Sequence, residues 1–137
     1  RRWLKNFKRQ IFVCSGNHDV DGSGDAAWMR MPNVYAYGDI KTIEGVKFGC
    51  VPYLCSDILD FAECDVLLAH LPPAHTQTAV ERGRDFGDKE LYRALKHGLL
   101  KAKIILCGHV HDPLSRVDKI GNCKIYNSSL GLNIIEI

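Results

Sequence analysis

At 137 residues, with 46% hydrophobic and 25% charged side chains, the chain is long enough to bury a core and too apolar to stay disordered. Its net charge of +2 lacks the basic excess of a protein that binds by neutralising many phosphates, so nucleic acid is not indicated as a partner. No apolar run approaches the ~20 residues of a membrane-spanning helix, and no membrane partner is expected.

Residues 1–9 place Trp3, Leu4 and Phe7 on one side of a helix whose remaining positions are mostly Arg and Lys, which reads as a solvated amphipathic face. Because the sequence opens on Arg1 inside that pattern, it is expected to continue upstream. Short runs rich in branched residues predict strands over 10–14, 34–37, 41–43 and 46–51, the last two joined across Glu44-Gly45 as a hairpin. Residues 56–64 have a short helical pattern, and 66–69 read as a strand running into His70. Over 87–102 a helix is predicted: Leu91, Ala94, Leu95 and Leu99 share a face, Asp88 supplies an acidic start, and His97 before Gly98 caps the end. Strands follow over 103–107, as a pair within 114–126, and over 133–137. With no repeats and no linker composition, residues 1–137 read as a single α/β domain.

The six cysteines form no CxxC pair and sit mostly in apolar runs, the pattern of reduced, buried thiols in a cytoplasmic protein. The segments "IFVCSGNHD", "VLLAHLPP" and "IILCGHVH" share one design. Each is a continuous apolar run, as in a strand buried on both faces, followed by polar ligand-type residues at its carboxyl end, the edge where α/β sheets bind ligands. If these strands are neighbours, Asn17, His18, Asp19, His70, His109 and His111 meet in one crevice. Imidazoles and an amide oxygen suit Zn²⁺, Mn²⁺ or Fe²⁺; His109 and His111, two apart in an extended segment, would face the same way. Asp19 would fix the tautomer of His18, which when protonated can act as a general acid or clamp a phosphoryl group. Turn chemistry accounts for any one of these motifs alone, but the joint occurrence points to a site.

In this order, "GNHD", "LLAHLPP", "CGHVH" and then "YNSSLG" resemble the calcineurin-like metallophosphoesterases over essentially the whole chain. The resemblance implies an α/β/β/α sandwich and hydrolysis of phosphate esters by a water activated between two divalent ions, drawn from Mn, Fe, Zn, Ni or Mg. It implies Asn17, His70 and His109 as ligands of one metal, His111 as a ligand of the other, His18 as the catalytic histidine near the leaving group, and Asp19 as its carboxylate partner. "SGNHD" is more similar to the small phosphodiesterase branch than to the protein phosphatases, so a small phosphate ester is the expected substrate.

The family's D-x-H and G-D-x-x-D motifs do not precede "GNHD" here, and Gly38-Asp39 follows it in the chain. The expected fold is therefore the sandwich without its first strand-helix units, with an unpaired sheet edge beside 10–14. The alternative is a catalytically incomplete binding scaffold on the same fold, and a third reading is a structural zinc site of His70, His109 and His111. The segment between His70 and the helix is either a plain surface loop or a substrate-choosing one, with Arg82 and Arg84 meeting a second phosphate and His75 lining the entrance.

Overall fold

A computed structural model describes residues 8–17, 31–129 and 131–137, so the helix expected over 1–9 lies almost wholly outside the described residues. Among the described residues ten strands, a 3-10 turn and one α-helix follow in the order β1 (Ile11–Val13), β2 (Val34–Ala36), β3 (Ile40–Ile43), β4 (Val46–Cys50), the 3-10 turn (Ile58–Phe61), β5 (Val66–Leu68), β6 (Val80–Glu81), β7 (Arg84–Asp85), α1 (Lys89–Lys96), β8 (Ile104–Cys107), β9 (Val117–Ile120) and β10 (Cys123–Asn127).

Six strands form a mixed sheet in the order β3-β4-β5-β8-β10-β9. The interior pairs β4-β5, β5-β8 and β8-β10 are parallel, and the two edge strands run antiparallel to their neighbours. Glu44 and Gly45, both at positive φ, close the β3-β4 hairpin, the two-residue turn whose twist matches that of paired strands.

Register explains the layers. Leu67, Ile105 and Ile125 lie in one row across the sheet, all fully buried, and share a core with Leu91, Ala94 and Leu95 of α1 and with Phe61 of the 3-10 turn. The neighbouring row, Phe48, Val66 and Ile104, points to the opposite face. There Phe12 of β1 stacks on Phe48 with ring centroids 4.8 Å apart and on Tyr35 of β2 at 5.2 Å. β1 and β2 form a separate parallel pair, which makes the second β layer. Among the described residues the order is thus helix, sheet, sheet: three layers of the expected α/β/β/α arrangement, with β1 paired along one edge only.

Two elements differ from expectation. α1 is half the predicted length, since His97 and Gly98, the latter at φ +68, end it as a cap while residues 99–103 turn back toward β8. Residues 133–137 form no strand; Ile135 and Ile137 line one hollow with Phe48, Ile104 and Leu106 of the sheet. β10 is already flanked by β8 and β9, so its edges offer the tail no ladder.

The start of α1 is well fastened: Asp88 accepts the amide N–H groups of Glu90 at 2.8 Å and Leu91 at 3.0 Å. Asp88→Ala is expected to cost about 1 kcal/mol, measured by urea unfolding, with Asp88→Asn nearly restoring stability. Among the described residues no disulfide is formed. Burial pushes the thiols of Cys50 and Cys123 up to about 11, and that of Cys107 higher still, so they remain protonated packing groups at neutral pH.

Candidate metal centre

The site forms where three strands stop. After β1 the chain passes through Cys14, Ser15 and Gly16 to Asn17, and this exit is tied to the segment following β4. The buried Ser15 hydroxyl accepts the Tyr53 amide N–H at 3.5 Å, and the Cys14 thiol points to the Val51 carbonyl at 3.5 Å. β5 runs through Ala69 to His70, and β8 runs through Gly108 to His109. Because β5 and β8 are parallel neighbours, their carboxyl ends lie side by side, and the His70 carbonyl accepts the Gly108 amide at 3.1 Å.

Three predicted residues meet there. Nε2 of His70 lies 2.9 Å from Oδ1 of Asn17 and 3.0 Å from Nδ1 of His109. A neutral imidazole nitrogen offers either one proton or one lone pair, so it cannot make a full hydrogen bond to both partners at once. A cation among three lone pairs satisfies all of them. Adjacent ligand atoms around an octahedral ion at about 2.1 Å are about 3.0 Å apart, which matches both contacts. Two imidazole nitrogens and an amide oxygen form a donor set of intermediate hardness that accepts Zn²⁺, Mn²⁺ or Fe²⁺. The residues present therefore fit a divalent metal.

Close packing holds His70. A Cβ at Gly16 would stand 2.6 Å from its Cε1, so only glycine lets the chain pass this near the ring. On another side the Tyr53 ring meets it edge to face, centroids 5.3 Å apart. His109 is held by strain: its φ is +65, and the Val110 amide donates to the Gly108 carbonyl at 2.7 Å across it. A positive central φ with an i to i+2 bond is the rarer, strained form of γ-turn. The expected extended backbone from His109 to His111 is thus corrected, and with it the argument that the two rings face the same way. His111 is exposed, and among the described residues no hydrogen bond joins it to the other three.

That strained turn is held by Asn127, only 2% exposed at the end of β10. Its Nδ2 donates to the carbonyls of Val110 at 3.0 Å and Thr78 at 3.1 Å, while its Oδ1 accepts the Ser129 amide at 3.0 Å and hydroxyl at 2.7 Å. Sequence reasoning gave neither Asn127 nor Tyr53 a role. The available signal was position alone: Asn127 ends β10 and Tyr53 follows β4 by three residues, though Lys124 and Lys47 interrupt those apolar runs.

His18 and Asp19 are outside the described residues. Among the described residues no three His, Cys, Asp or Glu side chains gather to hold a metal, so the three-histidine zinc site is not assembled there; the trio depends on the amide of Asn17. Arg82 and Arg84 are exposed on the β6-β7 hairpin. His75 is engaged by Tyr92, ring centroids 4.8 Å apart, and by Asp85, 3.5 Å from its Nδ1.

Among the described residues no helix is long and apolar enough to cross a membrane. Comparison with curated proteins gives no match. The family model for calcineurin-like phosphoesterases matches residues 1–113, a span that contains all three strand ends of the site and every strand but β9 and β10. On that match, and with a mixed sheet that carries the motif residues at its carboxyl edge, the chain belongs to the calcineurin-like phosphoesterase family.

Proposed function

We propose that the chain hydrolyses small phosphate esters, diesters or monoesters, with divalent metal held by Asn17, His70 and His109, and with His111 serving a second ion. The observation that carries this reading is the meeting of Asn17 Oδ1, His70 Nε2 and His109 Nδ1 within 3.0 Å contacts at the carboxyl edge of the sheet. When bound, the metal supplies Lewis acidity toward the phosphoryl oxygens and lowers the pKa of the attacking water.

The remaining work belongs to side chains of the chain itself. His18, the residue after Asn17, donates a proton from its ring to the leaving-group oxygen, which would otherwise depart as a costly alkoxide. Asp19 would accept the other ring N–H of His18 and so fix the tautomer and favour the protonated form. Tyr53 and Gly16 keep the His70 ring in one orientation, so the ligand position is built before substrate arrives. Six cysteines with no disulfide among the described residues are in keeping with a reducing, cytoplasmic setting.

The test is release of nitrophenol from bis(p-nitrophenyl) phosphate with Mn²⁺ added. Turnover is expected to need the metal and to stop with a chelator and return with Mn²⁺; in His18→Ala, hydrolysis of an alkyl ester, whose leaving group needs the proton, is expected to fall about 100-fold or more, and that of the nitrophenyl ester much less. Metal binding without turnover would replace this reading by the scaffold one. Unfolding by the chelator, again without turnover, would point to a structural metal.

A further inference from the structure

We propose that Thr76 and Thr78 are positioning residues of the metal centre, bracing the chain that leaves His70 against the chain that leaves His109; this rests on the phosphoesterase reading in taking those two rings as metal ligands. Both threonines lie in the segment between β5 and β6, and both are buried, at 3% and 0% exposure, which is uncommon for threonine in a connecting segment. The Thr76 hydroxyl donates to the Pro73 carbonyl at 2.7 Å and lies 2.7 Å from the Thr78 hydroxyl. A hydroxyl has a single proton. Thr76 directs its own at Pro73, so Thr78 is the donor in the contact between the two side chains, and both bonds run toward Pro73. From the other side, Nδ2 of Asn127 donates to the Thr78 carbonyl at 3.1 Å and to the Val110 carbonyl at 3.0 Å. A path of buried hydrogen bonds therefore joins Pro73, Thr76, Thr78, Asn127 and Val110.

Each end of this path reaches a ligand candidate through stiff chain. Val110 follows His109 directly and closes its strained turn. Pro73 lies three residues after His70, and the stretch between them has little freedom: Pro72 and Pro73 have fixed φ, and Leu71 is restricted as the residue before a proline. Both prolines are fully buried, and the Pro72 carbonyl accepts the Asp88 amide at 2.8 Å. A Cβ at Gly87 would stand 2.4 Å from the Cα of Ala74, so this exit is also packed closely from the helix side. A shift at Pro73 is thus carried back toward the His70 ring. Among the described residues every buried side-chain N and O atom has a partner, and a fully satisfied buried polar network is the kind that rigidifies a fold. The bond from the Gly108 amide to the His70 carbonyl joins the two strand ends at one point. The threonine path fixes how the two chains diverge beyond it.

Thr76→Val keeps the shape of the side chain and removes the hydroxyl on which both bonds converge. Mn²⁺ affinity, measured by calorimetry, is expected to fall about tenfold. Thr76→Ser returns the hydroxyl and is expected to return the affinity, while Thr78→Val, which leaves the bond from Thr76 to Pro73 in place, is expected to lose less. Leu95→Ala is the control for stability alone: it removes core packing under α1 and is expected to bind Mn²⁺ as the parent does, with every titration run below the unfolding transition. In the metal-free protein the rings of His70 and His109 have centroids 4.8 Å apart, and NOE signals between them are expected to weaken in Thr76→Val and to recover in Thr76→Ser. Parental Mn²⁺ affinity in Thr76→Val, or an equal loss in Leu95→Ala, would overturn the proposal. A parent protein that binds no Mn²⁺, but whose ring contact is lost in Thr76→Val, would keep the brace between the two histidines and remove the phosphoesterase reading.

Discussion

His70→Ala is expected to abolish high-affinity Mn²⁺ binding and to lower phosphodiester turnover by at least about 100-fold. His70 is the residue at which both other donors converge: its Nε2 contacts Asn17 at 2.9 Å and His109 at 3.0 Å. Removing the ring leaves two donors contributed by different strands with nothing between them. The fold should stand, because the half-buried ring lies outside the core shared by Leu67, Ile105 and Leu91. Titration calorimetry with Mn²⁺ and circular dichroism melting separate the two effects. Gly16→Ala is expected to reach the same end by crowding, since its Cβ would fall 2.6 Å from the His70 ring. A His70→Ala protein that bound Mn²⁺ as tightly as the parent would end the assignment of this site.

The second large effect is expected at a residue that touches none of the three donors. Asn127→Leu keeps roughly the volume of the side chain but removes both Nδ2 donors and the Oδ1 acceptor. The Val110 and Thr78 carbonyls and the Ser129 amide then lose their side-chain partner in a buried setting, at a cost of about 2–4 kcal/mol in stability. The turn at His109 also loses what holds Val110 in place, so its strain can relax by moving the His109 ring. Metal affinity is expected to fall about 10–100-fold, the usual effect of outer residues that orient a ligand. Urea unfolding and Mn²⁺ titration at a temperature where the variant is fully folded measure the two effects separately. Asn127→Asp, which sets a buried carboxylate oxygen against the Val110 and Thr78 carbonyls, should restore neither stability nor affinity.

Much of this was legible because it depends on local pattern. The buried runs at 46–50, 66–68 and 104–107 are nearly continuous in apolar residues, as interior parallel strands require, and each became one. Glu44-Gly45 marked its hairpin and Asp88 its helix start, since turn and cap chemistry act over a few residues. Ligand-type side chains directly after such runs fall at the carboxyl edge of a parallel sheet, so Asn17, His70 and His109 could be nominated from the sequence.

The tertiary structure decided what depends on partners distant in sequence. Asn17 and His70 are 53 positions apart and His70 and His109 are 39 apart, and their contact follows from β5 pairing with β8 while β1 lies over the other face through Phe12 and Phe48. An apolar run reads the same whichever neighbour it pairs with, which is why the tail at 133–137 resembled a strand until the ladder around β10 proved full. The strained turn that sets His109 is equally invisible locally, because it is stable only while Asn127, from another strand, holds it. The sequence by itself determined which side chains stand at the strand ends. Strand order and buried hydrogen bonds between distant segments determined that three of them meet, and in what geometry.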